Sequence, residues 1–197
     1  SYAAVAADAG PAFDGVRHQR FLLLAPTYLL VVDHLSTDDG RKRTFDWVYH
    51  NRGSKVTCDV PAGEAALGGA RGYAYLTDVS GHVVGAEGMI RVAFAGEKLT
   101  THVTVQGLGG DEVFTAAGPF RSVDDRVPLV IVRRRGVRCI LSPRWSPLAQ
   151  AAGRLFGDSC RRIGRVGTSM WTWVVRGMAS FSRGGNLAIF RFGGGGE

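Results

Sequence analysis

The chain has 197 residues, 45% of them apolar, which is enough for one domain with a real core. Its 28 glycines are about twice the average share, and no apolar run reaches the ~18 residues that a membrane helix needs. The formal charge of +7 suggests a polyanion partner until it is located: residues 1–138 hold 16 Lys+Arg against 15 Asp+Glu, whereas residues 139–197 hold 8 against 2. The excess belongs to the tail, where Lys is absent and no recognisable nucleic-acid-binding fold accompanies the arginines, so neither nucleic acid nor a membrane is an expected partner.

Residues 1–7, Ser-Tyr-Ala-Ala-Val-Ala-Ala, lack the basic n-region of a signal peptide. The chain has no initiator Met either, and the expectation is that it continues a longer protein. Cys58, Cys139 and Cys160 form no Cys-x-x-Cys pair, so neither a zinc ribbon nor a disulfide framework is indicated and the redox compartment stays open.

In chain order, residues 1–15 are Ala- and Gly-rich and read as an entry loop or edge strand. Val16–Leu24 and Tyr28–Leu35 are long apolar runs joined by Pro26-Thr27. Arg43–Asn51 alternates, with Phe45, Trp47 and Tyr49 on the face predicted to meet the core and Asp46, Val48 and His50 on the other. Between them Thr37-Asp-Asp-Gly40 is a turn, because the acidic side chains cap local backbone and Gly tolerates positive φ. Val56–Val60 reads as a short strand, residues 61–72 as loop, and Gly72–Val79 as a further alternating strand. Met89–Ala95 and Lys98–Gln106 flank a tight turn at Gly96-Glu97. Glu112–Ala116 is a short strand, and Pro128–Arg135 is a strand that ends in three arginines expected to face solvent. No helical period persists before residue 147. Recurrent short strands with turn signals between them predict an all-β fold, an antiparallel β-sandwich or barrel.

Six segments, in this order, carry a resemblance: Val16–Leu24, Tyr28–His34, Phe45–Asn51, Gly72–Asp78, Val113–Pro119 and Pro128–Arg134. Together they resemble the C-terminal β-sandwich of heparinase II/III-like polysaccharide lyases, including the alginate lyases built the same way. The match spans roughly residues 13–138, and it selects the sandwich for a domain at residues 1–138. The resemblance implies an α/α toroid before this module, with the active cleft between the two. It implies β-elimination on an acidic, uronic-acid polysaccharide of the alginate or heparin type, in a periplasmic or secreted setting. A base takes the proton at C5 and an acid protonates the leaving glycosidic oxygen, roles that suit His and Tyr. The family's Tyr/His pair and its zinc ligands, two His and an Asp, have no matching His-x-His or His-Asn-Thr segment here. The expected partners are therefore an acidic polysaccharide and the toroid. No catalytic residue, metal ligand or cofactor is assigned to this chain, and it is expected to be inactive alone.

The resemblance ends near residue 138, where members of the family continue with a strand and then Glu-Pro. Here the chain reads Ser142-Pro-Arg-Trp-Ser-Pro147. Read from the third base of each codon, Trp145-Ser146-Pro147 becomes Leu/Met/Val, Glu, then Pro or Ser, provided Ser146 is encoded AGY. The same shift turns Met170–Val175 into a strand-like alternation. Residues 139–197 are thus expected to be an atypical basic tail, frameshifted or poorly ordered, although four Phe and three Trp are many for a disordered segment.

Within the sandwich, Arg20, His50 and Asn51 are the candidate substrate-binding residues. Arg20 alternates with His18 on one strand and its fork matches a uronate carboxylate. His50 shares a face with Asp46, and Asn51 has the donors and acceptors for sugar hydroxyls. Two alternatives remain, a free-standing carbohydrate-binding module and a purely structural one. A binding module needs an exposed aromatic platform, for which Trp47, Tyr49, Tyr73 and Tyr75 are the candidates.

Overall fold

The computed structural model describes residues 2–10, 13–69, 72–146 and, for the backbone alone, 188–192. They form thirteen strands, all paired antiparallel, one 3₁₀ turn at Tyr73–Tyr75 and no α-helix. The strands are β1 (Tyr2–Asp8), β2 (Val16–Ala25), β3 (Tyr28–Thr37), β4 (Arg43–His50), β5 (Lys55–Cys58), β6 (Thr77–Val83), β7 (Gly88–Ala95), β8 (Thr100–Gly107), β9 (Glu112–Pro119), β10 (Arg126–Gly136), β11 (Arg138–Leu141), β12 (Arg144–Ser146) and β13 (Ala188–Phe192). Nine make one sheet, ordered β13-β1-β2-β3-β12-β8-β7-β5 with β11 also on β3; the other four are ordered β4-β10-β9-β6. The architecture is the antiparallel β-sandwich.

Alternation decides what lies between the sheets. Trp47, Val113, Val130 and Val132 of the smaller sheet meet Ile90, Val92, Phe94, Val103, Val105 and Leu141 of the larger. Each fully buried side chain of this kind contributes roughly 1.5–3 kcal/mol. Phe45 and Trp47 are buried, as their period of two requires. Tyr49 completes an aromatic stack with Trp47, Phe94 and Trp145 at centroid distances of 5.4 to 6.0 Å.

Two segments differ from the sequence expectation. Gly72–Val79 does not run as one strand. Gly72 sits at φ +98° and Asp78 at φ +52°, and the pairing of β6 with β9 slips between Thr77 and Ser80. The preceding loop instead folds over the outer face of the small sheet, where Leu67, Tyr73 and Leu76 pack on Phe114, Leu129 and Ile131. Gly81 permits this closure: a Cβ there would lie 2.2 Å from the Ala65 carbonyl oxygen. The second segment follows residue 138. Residues 138–146 continue the large sheet as β11 and β12, and β12 lies between β3 and β8. Leu141 is buried there and Trp145 packs on the core. Residues 147–187 and 193–197, including the Met170–Val175 segment, lie outside the described residues.

The large sheet outreaches the small one. Of β1 and β2, only Val16 joins the buried clusters, while Ala4 and Leu23, paired with each other on the opposite face, are buried as well. On the inner side of β2 the run Val16, His18, Arg20, Leu22, Leu24 passes from buried at Val16 to 57% exposed at Leu24. Among the described residues that face opens toward Leu24, while Val31 and Asp33, beside Leu22 and Arg20, stay buried.

Candidate functional site

The inner face of β2 and β3 carries a charge cluster built on one buried carboxylate. The two-residue connection Pro26-Thr27 sets Ala25 opposite Tyr28, and counting back sets Arg20 opposite Asp33 and His18 opposite Leu35. Asp33 is 2% exposed. It accepts hydrogen bonds from Arg20 Nε at 2.6 Å and Nη2 at 2.8 Å, and from His18 Nε2 at 2.7 Å. A dry carboxylate needs such partners, since leaving it unpaired costs several kcal/mol.

The pairing fixes what the two side chains still offer. Nε2 of His18 is engaged by Asp33, so Nδ1 is the ring nitrogen left over. Arg20 spends its Nε/Nη2 fork on Asp33, so its remaining edge is the Nη1 end, and its side chain is 45% exposed. That edge can meet a carboxylate end-on, and the cluster is positioned rather than mobile. His34, the neighbour of Asp33, points to the opposite face, with Nδ1 3.2 Å from Gln19 Oε1.

His50 and Asn51 lie elsewhere. His50 is exposed at the end of β4, on the outer face of the small sheet, and partial desolvation pushes its imidazole below the ordinary value. Asn51 turns the other way: its Nδ2 donates to Tyr49 Oη at 3.0 Å and its Oδ1 accepts from Gly53 N at 2.9 Å. Both ends of its amide serve the fold. Arg20, on the large sheet, shares no hydrogen bond with either of them.

The aromatic platform is not assembled. Trp47 is buried, Tyr49 stacks in the core, and Tyr73 donates its hydroxyl to Asp46. Burial and that carboxylate together push the Tyr73 phenol upward. Of the four candidates only Tyr75 is exposed, at 56%.

The three arginines at the end of β10 also depart from expectation. Only Arg135 faces solvent. Arg133 points outward under the covering loop, forks Asp46 at 2.8 and 2.9 Å and lies over the Tyr73 and Phe114 rings. Arg134 points inward, forks Asp111 and donates to the carbonyls of Gln106, at 2.8 Å, and Ile140. Alternation is the signal that finds this, because consecutive strand residues cannot share a face. Among the described residues no group of three His, Cys, Asp or Glu is gathered as a metal site.

No family model matches this chain, and no curated protein matches it.

Proposed function

We propose that this chain is the C-terminal β-sandwich of a heparinase II/III-like polysaccharide lyase, acting on an alginate- or heparin-type uronan by β-elimination and supporting the catalytic cleft without completing it. The observation that carries the reading is the ordered set of six sequence segments, which fall on β2, β3, β4, the Tyr73–β6 segment, β9 and β10 of an antiparallel sandwich. The inner face of β1 and β2 beyond the small sheet supports it, because a second domain seated there would cover Leu22 and Leu24 and bring its ligand against Arg20 and His18. In that arrangement Arg20 meets a uronate carboxylate and lowers the cost of the carbanion that forms at C5. The proton transfers belong to groups of the preceding domain.

A free-standing glycan-binding module is the second reading. It is weakened by the loss of Trp47, Tyr49 and Tyr73 to packing and hydrogen bonding. The test is the gene upstream of Ser1. A reading frame encoding several hundred helical residues is expected, and expression of the whole frame should yield unsaturated uronate ends from alginate or heparin. An unrelated or non-helical upstream frame would remove the proposal.

A further inference from the structure

We propose an accessory binding site for an acidic saccharide on the opposite, outer face of the large sheet, between β5, β7 and β8. An open depression of about 270 Å³ lies there, with Thr57, Asp59, Arg91, Ala93 and His102 on its walls. Its origin is a single small residue. Register sets Thr57, Ala93 and His102 side by side across the three strands, so the short Ala93 leaves a hollow between longer neighbours.

The polar groups around the hollow are arranged for a carboxylate-bearing sugar. Asp59 receives Arg91 N on Oδ1 at 2.8 Å and Arg91 Nη1 on Oδ2 at 3.2 Å. That single contact steadies the guanidinium while Nε and Nη2 keep no partner among the described residues, and the side chain is 64% exposed. An edge with two parallel N–H donors suits a planar carboxylate. Asp59 and Thr57 add an acceptor and a hydroxyl for sugar hydroxyl groups. The outer positions of β5, β7, β8 and β12 also carry Lys55 and Arg144, against Asp59, which directly follows β5, and Glu87, which precedes β7 and accepts Gln106 Nε2 at 3.3 Å. With Arg91 these groups leave one cation in excess. The volume lies below the ~300–1,000 Å³ of drug-sized pockets, which suits one sugar ring with the rest of the chain lying along the sheet.

The ligand class rests on the lyase reading, but the site itself does not involve Arg20 or the cleft. Calorimetric titration of the 197-residue chain with hexamannuronate, and with mannohexaose as the same sugar lacking the carboxylate, tests it. Binding of the uronate and not of the neutral hexamer is expected. Arg91→Ala should weaken it by about tenfold or more, Arg91→Lys should restore part of the loss, and Arg121→Ala, an exposed arginine paired with Asp125 between β9 and β10, should leave it unchanged. Absence of hexamannuronate binding, equal binding of mannohexaose, or wild-type affinity in Arg91→Ala would overturn the inference. The upstream gene and its lyase activity are read independently of any of these results.

Discussion

Arg134 and Asp111 are both dry, and each is satisfied by the other and by backbone of the strands around them. Arg134 reaches the carbonyls of Gln106 on β8 and Ile140 on β11, while Asp111 accepts Leu108 N at 2.9 Å. One side chain of the small sheet is thus tied to two strands of the large one. Removing the carboxylate strands a buried cation, so Asp111→Ala should cost about 3–5 kcal/mol in urea unfolding; a loss under 1 kcal/mol would show that the tie is not needed. Trp47→Ala, which empties a space walled by Tyr49 and Trp145, should also cost roughly 3–5 kcal/mol. His34 supplies a pH dependence. Burial first, and then Arg138, hold its imidazole below the ordinary 6.5. The unfolded chain therefore takes up the proton first, and this contribution to stability is complete above about pH 6.5 and is lost as pH falls below it. The urea midpoint should drop between pH 7 and 5, and His34→Gln should flatten the drop. At this scale the sequence holds the information where geometry is short-range: a two-residue hairpin places Arg20 opposite Asp33 and alternation separates Arg133 from Arg134, yet the expectation drawn from it put all three arginines in solvent. What Asn51 bonds to was not readable, because it depends on the turn that follows β4.

The strands marked by long apolar runs or by a period of two, β2, β3, β4, β7, β8 and β10, lie within a few residues of their sequence-derived positions, because their own side chains supply the buried face. Two kinds of element escaped. Gly72–Val79 has the right alternation for a strand, yet Tyr73 bonds to Asp46 beside Arg133 and the chain turns at Gly72. Tertiary contacts outweigh the local pattern there. β11 and β12 are four and three residues long and are interrupted by Pro143. Neither has a period long enough to recognise, and both are held by pairing with β3, β12 with β8 as well. This gives a truncation test. A chain ending at Val137 loses Cys139, Leu141 and Trp145 from the core and separates β3 from β8, so it should aggregate or show no cooperative transition. A chain ending at Ser146 should retain a β-type circular dichroism spectrum and a single unfolding transition. Equal behaviour of the two would mean that β11 and β12 contribute little.

For the whole molecule, the sandwich architecture was legible because apolar runs and alternating positions agree with one another across many strands. The meeting of Arg20, Asp33 and His18 on a sheet face that outruns its partner was only partly legible, since the overhang depends on how many strands each sheet receives. That overhang gives the proposed function its physical content: a module that offers a face to a neighbouring domain and holds an arginine at its rim, while the proton-transferring groups lie in the neighbour. The most direct measurement is the appearance of unsaturated uronate from alginate and from heparin, followed by absorbance, with the 197-residue chain alone and with the polypeptide encoded by the complete upstream frame. The account predicts no product from the chain alone, with or without His50→Ala, and product from the longer polypeptide that falls when Arg20 is replaced by Ala. Turnover by the purified chain itself that is lost in His50→Ala, or a longer polypeptide that cuts neither polysaccharide, would contradict it.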